Sequence, residues 1–514
     1  MKKTAESKAT RNFRGKYEII VVGAGIAGLS AAALMQNRGH KVLLLEQAEE
    51  PGGVCRALRT EGYTFDLGCR VFFGLGYQSQ FNFLQNVIDE LHLGLDFKLL
   101  DPGMQIVMPD QTFKLGAEQR SFFRQVSSAF PGEARGLKKL YHELGELHET
   151  LSSLPRHHAM GRWTIIKLCL THPWFARKLL SNAPRSLFDL YRKDLNERRC
   201  FNILESMVAS LTMLDAEEIP AFLASLILLS PFRGGIWYPM GGSGALTDAL
   251  LKSFTNAGGQ FESGCKVNEI LVGGGRARGV RLENGTLIHS ERVISDVPKE
   301  HLFGRLVDAI HISDGVRKQV AYQENADSLF GVYLGVDANV VPEGTPVHSV
   351  VVPRYFDNWR EARPVIVSIP TLVDPSLAPA GKHVVIVMSP EKAYGWERNS
   401  YYAEKKRQLA REKIAIAERV LPGLEKSIQF IETSSPLTWE KYTLRPKGTF
   451  GIKMDIRQGL LNRQGNKTEV ANLYCVGDST FPGSGVFAVS YSARMCADLI
   501  CLETGRGLPP VEKV

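Results

Sequence analysis

Gly23, Gly25 and Gly28 in the run Gly23-Ala24-Gly25-Ile26-Ala27-Gly28 are spaced for contact with phosphate. Gly23 allows a tight strand-to-helix turn. Gly25 has no Cβ, so a pyrophosphate reaches the backbone, and Gly28 lets helix and strand pack closely. A helix opening at this turn presents free N–H groups and its positive dipole end to an anion. Glu46 stands where an acid accepts hydrogen bonds from a ribose hydroxyl. A second group lies near the other end: Gly477-Asp478, then Phe481-Pro482-Gly483-Ser484-Gly485-Val486. An Asp after a buried strand accepts from a polyol, or caps a turn. The glycine-rich turn before a helix is again a site for a polar or anionic group. The first group reads as a dinucleotide site, with NAD and FAD both fitting. No second Gly-x-Gly-x-x-Gly opens a helix, so the chain is expected to hold one dinucleotide tightly.

The elements that position these residues follow from periodicity. Ile19 to Val22 and Lys41 to Leu45 are apolar runs that read as buried strands around an Ala/Leu-rich helix. Gly52-Gly53 suits a loop passing close to a ligand. Tyr63 to Leu67 alternates as a strand, and Gln105 to Leu115 reads as a hairpin turning at Pro109-Asp110. Ala117 to Leu154 is predicted mostly helical. Gly234 to Gly242 reads as a glycine-rich loop leading into a helix over 245–256. Gly258 to Asp296 reads as four strands, with Gly273 to Gly275 and Asn284-Gly285 as hairpin turns. Further strands are expected at 330–336, 365–369 and 383–388, and an amphipathic helix at 401–421. Asn472 to Ser479 is a buried strand ending in Gly-Asp, followed by a small-residue helix over 488–502.

With 514 residues, 44% apolar and 23% charged, the chain has the composition of a globular protein of two or three domains. No apolar run is long enough for a membrane-spanning helix; the longest, Ala221 to Leu229, suits a core helix or an interfacial segment. The basic stretch 1–16 reads as a solvated tail, not a secretory signal. The eight cysteines form no CxxC pair and no zinc spacing, so no metal site is expected and the thiols read as reduced and cytoplasmic. The net charge is +8, and Arg156 to Arg199 holds ten Lys/Arg against three acids, an excess of seven. There Trp163, Ile166, Leu170 and Trp174 share a helical face until Pro173 interrupts it, with Arg162, Lys167, Arg177 and Lys178 alongside. Two readings stand: a monotopic helix on a membrane surface, or a core helix with a solvated basic face. No nucleic-acid motif accompanies the patch.

VVGAGIAGLSAA…LLLE, PGGVCRALRTEGYTFDLG, GGIWYPMGGSGAL, VSIPTLVDPSLAPAGKH and LYCVGDSTFPGSGVFAVSYSARMCA together resemble the flavin-dependent family of carotenoid desaturases, carotenoid cis–trans isomerases, retinol saturase and, more distantly, amine oxidases. The last three stretches are most similar to the prolycopene isomerase branch. The resemblance implies an α/β fold: a Rossmann-type FAD-binding domain (17–90, 235–300, 440–514) interleaved with an α+β substrate domain (91–234, 301–439). It implies FAD, with Gly23, Gly25 and Gly28 at the pyrophosphate and Glu46 at the adenosine ribose. Gly53 and Arg56 would sit by the phosphates and flavin, and Val267 by adenine. Gly477 and Asp478 would bind the ribityl side, and Gly485 and Val486 would lie at the isoalloxazine. Cys69 and Arg70 depart from the small residues expected after FDLG; Arg70 would stand near the flavin, tuning it or contacting a phosphate.

The expected activity is isomerisation of a poly-cis carotenoid to the all-trans form with reduced FAD. The alternatives are a carotenoid desaturase or saturase with net hydride transfer, an amine oxidase-like enzyme, and a non-enzymatic prenyl-group binder. Glu46 and Gly477-Asp478 argue against the last. The expected partners are a long apolar polyene and, through 160–200, a membrane surface. The protein is thus expected as a peripheral, monotopic one on the cytoplasmic face of a membrane. No general acid or base and no oligomeric state follow from the sequence.

Overall fold

The computed structural model describes residue 13 and residues 15–76, 82–116, 118–152, 162–459 and 463–508. Most of the expected tail and the side chain of Trp163 lie outside the described residues. The strand Tyr17–Val22 (β1) leads into the helix Ile26–Asn37 (α1) and the strand Val42–Leu45 (β2). Far along the chain come the helix Ser243–Asn256 (α2) and the strands Gln260–Glu262 (β3), Leu287–Ser295 (β4) and Leu473–Cys475 (β5). The helix Val486–Thr504 (α3) follows. β1 is central, with β2 parallel on one side and β4 parallel on the other. β3 extends the sheet beyond β2, and β5 extends it beyond β4, both parallel. Arg276–Leu282 pairs antiparallel with β4, and Val267–Gly273 pairs with Arg276–Leu282.

A parallel sheet needs cover on both faces, and the sequence of β1 supplies apolar residues for both. Ile19 and Val21 pack with α1 and α3, while Tyr17, Ile20 and Val22 belong to the core on the other face. In β2, Val42 and Leu44 take the first side, and Leu43 and Leu45 the second. α1 is buried all round, with Ala31, Ala32 and Ala33 at 0% exposure. Its small residues allow α2 and α3 to lie close on either side. Leu29, Leu34 and Met35 are also fully buried, each stabilising the fold by about 1.5–3 kcal/mol.

The second sheet has seven strands. Their order is Ile428–Ser434, Ser328–Asp337, Lys382–Glu391, Val365–Ser368, His348–Val351, Met104–Val107 and Thr112–Leu115. Alternate residues again separate two cores. Phe330, Val332 and Leu334 meet the helix Tyr402–Ala417, whereas Tyr333, Ile386 and Met388 face the core shared with the helices of 119–234. Gly234 to Gly242, read as a loop, contains the strand Ile236–Pro239, which pairs with Phe72–Phe73 and Phe97–Leu100. The Ile-Trp-Tyr run is a strand-forming one, and the flanking glycines only bound it.

The apolar stripe of the basic segment falls on two helices, Arg162–Thr171 and Pro173–Asn182, broken at His172. Phe175 and Leu179 are buried, but Ile166, Leu170, Trp174 and Leu180 are 46%, 77%, 48% and 75% exposed. The described side chains of the stripe, Ile166, Leu170 and Trp174, thus stand outside the core, and burial falls on Phe175 and Leu179 beside it. No helix among the described residues is long and apolar enough to cross a membrane.

A Cβ at Gly28 would run into the carbonyl oxygen of Gly23. Gly28→Ala is expected to push α1 away from β1 and to lower stability by about 1–3 kcal/mol. A thermal unfolding midpoint equal to that of the parent would show that the close packing here is dispensable.

Candidate functional site

Parallel pairing fixes where the strand ends fall. Val22 is in register with Leu45 and with Ser295, and Ser295 with Cys475. The residues just beyond these ends, Gly23, Glu46, Asp296 and, two places after Cys475, Gly477, therefore meet at one edge of the sheet. In open α/β sheets ligands bind outside such carboxyl ends. A cavity opens there and continues between the two sheets, reaching Leu329 and Ile366 of the second.

Gly23, Gly25, Glu46, Gly53, Arg56, Arg70, Val267, Asp478, Gly485 and Val486 all line this one cavity. The loop carrying Gly53 is fastened over the first turn: the Gly52 N–H donates to the Ala24 carbonyl at 2.7 Å, and a Cβ on Gly53 would lie 3.4 Å from Gly25 Cα. Glu46 Oε2 accepts from the Ala24 N–H at 2.7 Å, and Oε1 from the Ala48 N–H at 2.8 Å. Arg56 donates from Nη2 to the Glu50 carbonyl at 3.0 Å, while its buried Nε has no partner. Val267 opens its strand at 6% exposure. Gly485 stands at the N-cap of α3 with φ +105°, and a Cβ there would meet nothing within 4 Å. Gly28 and Gly477 lie behind the wall. The Gly28 N–H donates to Asp296 Oδ2 at 3.0 Å, and a Cβ on Gly477 would lie 2.6 Å from Asp296 Oδ1.

A family model described as flavin containing amine oxidoreductase matches residues 26–501. The chain belongs to this family. Its cofactor is FAD, and it is an FAD-dependent enzyme of oxidoreductase type in the carotenoid isomerase and desaturase group. The prolycopene isomerase of Daucus carota is 31% identical over 500 residues, covering 95% of this chain and 81% of that one. The neurosporene-forming phytoene desaturase of Rhodobacter capsulatus is 27% identical over 522 residues, covering 96% and 95%. In fold, the flavoenzyme matches an oxidoreductase from Methanosarcina mazei with a TM-score of 0.65 at 18% identity, covering 94% and 99%.

The residues fit the cofactor of this family. Helix α1 begins at Gly25 with no side-chain cap, α3 begins at Gly485 likewise, and the orphaned Arg56 Nε lies in the same cavity. A dinucleotide supplies the acceptors that such groups lack.

Two charged residues that shape the flavoenzyme's cavity, Asp296 and Arg445, are not read as site residues from the sequence. Asp296 directly follows a buried strand, as Glu46 does, and that position was its signal. Burial raises its carboxyl from 3.8 to about 8, with the charges of Asp478 and Glu46 adding to the rise; the Gly28 N–H and Arg445 oppose it. Arg445 lies beyond the helix Pro436–Thr443 and carries no motif. Its Nη2 is 2.5 Å from Asp478 Oδ2, so the acid read as a polyol acceptor is already ion-paired.

Arg70 is 5% exposed and donates from Nε to Ser368 Oγ and from Nη1 to the Gly68 carbonyl, each at 3.0 Å. No carboxylate pairs with it among the described residues, and burial pushes its guanidinium down. His348 Nδ1 lies 3.0 Å from the same Ser368 hydroxyl. Burial, aided by Arg70, pushes that imidazole down to about 3, so it stays neutral. All eight cysteines are free, and no cluster among the described residues is suited to a metal.

The side chains of Arg445 and Asp478 are 16% and 10% exposed. Arg445→Met would strand a nearly buried carboxylate, at about 3–5 kcal/mol in unfolding free energy. Arg445→Met with Asp478→Asn is expected to recover most of it. Denaturant unfolding of the apoprotein decides: if the single variant matches the parent, the pair holds nothing together.

Proposed function

We propose that this flavoenzyme converts a poly-cis carotenoid of prolycopene type to its all-trans form, with FAD in the reduced state. The similarity to prolycopene isomerases over 95% of the chain carries the reading. The site is compatible with it. Leu211, Met213, Leu329, Ile366, Phe450 and Met454 line the inner part of the cavity, and such a wall suits a hydrocarbon chain, which offers nothing to hydrogen-bond. FAD, when bound, supplies reversible electron or hydride exchange with the conjugated chain. The protein's part is to hold the polyene in one pose and to exclude water. We assign the phosphates to the Gly23–Gly28 turn with Gly53 and Arg56, the adenosine ribose to Glu46, and adenine to Val267. Gly477 and Asp478 take the ribityl side, and Gly485 and Val486 the isoalloxazine. Arg70 contributes a fixed positive charge beside the isoalloxazine. The second reading, a desaturase or saturase with net hydride transfer, is favoured by the phytoene desaturase similarity at 27% identity.

We also assign the exposed side chains of Ile166, Leu170, Trp174 and Leu180, with Lys167 and Arg177 beside them, to the surface of a membrane on its cytoplasmic side. Carotenoids partition into bilayers, and an apolar face with basic flanks is what binds an anionic leaflet.

Three outcomes test these assignments. Photoreduced protein given prolycopene in liposomes without oxygen should yield all-trans lycopene of unchanged hydrogen content; a product with two hydrogens fewer or more supports the desaturase or saturase reading instead. Arg70→Gln should lower the reduction potential of the bound flavin in an anaerobic dye titration, because an uncompensated cation favours the reduced, more negative form. An unchanged potential removes Arg70 from the flavin's surroundings. Flotation with anionic vesicles should be lost when Ile166, Leu170, Trp174 and Leu180 are all changed to Ser, and its persistence would place the lipid-binding surface elsewhere.

A further inference from the structure

Asp296 occupies the point where the glycine turns converge. Its Oδ2 accepts from the Gly28 N–H in the first turn of α1, and would lie 2.5 Å from a Cβ on Gly25. Its Oδ1 faces Gly477. The space freed by two missing side chains is thus filled by one carboxyl group, on the surface that a dinucleotide phosphate must approach. The charged groups around it are Glu46 after β2, Asp478 after β5, and Arg445, which is already paired with Asp478. An ionised Asp296 would set a third carboxylate against the phosphates, with the helix dipole, a committed arginine and the one guanidinium of Arg56 in compensation. Like charges in a shared buried site do not both stay ionised. A neutral carboxylic acid removes the repulsion, and it also has one O–H to donate, which a carboxylate lacks. Phosphate oxygens are strong acceptors for it.

We propose that Asp296 keeps its proton in the loaded protein and donates that O–H to a phosphate oxygen of FAD, so that FAD is held only while Asp296 carries its proton. The inference rests on the assignment of the Gly23–Gly28 turn to the phosphates. The carboxyl is protonated below about pH 8 before any ligand arrives, and a bound anion raises its proton affinity further. By linkage, affinity for FAD is level below that point and falls about tenfold per pH unit above it.

The experiment is FAD release and re-uptake by the full-length holoprotein between pH 7 and 9.5, followed by flavin fluorescence, for the parent, Asp296→Asn and Asp296→Ala. The amide keeps the shape and a donor but has no proton to lose. Asp296→Asn should therefore match the parent at pH 7 and stay level to pH 9. Asp296→Ala should be level too, but weaker at every pH. An infrared difference spectrum of loaded parent minus loaded Asp296→Asn at pH 7 should show the carboxylic acid C=O stretch of Asp296. This reading does not depend on how well the variants refold.

A parent profile that is level to pH 9.5, or a carboxylate band in place of the acid band, overturns the protonated Asp296. Tighter binding by Asp296→Asn at pH 7 does the same, since it would mean that a charge had been removed. If all three proteins bind FAD alike at every pH, the phosphates lie elsewhere, and the placement on which the inference rests has failed.

Discussion

The register of the parallel sheet is the constraint on which the rest of this structure depends. Because Val22, Leu45, Ser295 and Cys475 lie level with one another, four chain segments distant in sequence release their next residues at a single edge. A shift of one residue in β4 would turn Asp296 to the other face of the sheet, since side chains alternate along a strand. The packing that resists such a shift is two-sided. Each of these strands feeds apolar residues into two separate cores, so a slipped register would expose one set while burying polar neighbours.

The glycines at that edge serve two ends. Gly23, Gly53 and Gly485 adopt positive φ, which only glycine accepts at little cost. Gly25 and Gly28, and also Gly477 with its φ of +94°, yield room: to the neighbouring backbone at Gly28, and to the Asp296 carboxyl at Gly25 and Gly477. The ligand face of the turn is therefore tied to its structural face through a single side chain. Polarity along the cavity follows from the same arrangement. The first sheet contributes backbone N–H groups and acids from beyond its strand ends, whereas the second presents Leu329 and Ile366 from within its strands. Arg70 and the neutral His348 meet at Ser368 of the second sheet.

Much of this was legible in the sequence. The Gly23–Gly28 turn, Glu46, the Gly477-Asp478 step and the helix after Gly485 are local: spacing, strand-type residues and turn chemistry lie within a few residues of one another. The resemblance to flavin-dependent carotenoid enzymes, carried by those same stretches, is matched by the family found over residues 26–501. Ile236–Pro239 was misread because its flanking glycines signal a loop, while its pairing with Phe72–Phe73 and Phe97–Leu100 is non-local. The stripe with Ile166 and Leu170 was ambiguous for a similar reason. Periodicity marks an apolar face, but only the neighbours decide whether anything covers it.

The sequence by itself determined that a strand, a glycine turn and a helix stand at each end of this chain, because each depends on contiguous residues. The tertiary structure alone decided that both ends share one cavity, that Asp296 stands between them, and that Arg445 neutralises Asp478. These rest on contacts between residues far apart in the chain, 268 for Gly28 and Asp296 and 463 for Arg38 and Cys501, set by sheet register and burial. An acid's place in the sequence says nothing of the dielectric around it or of which cation will reach it once the strands have paired.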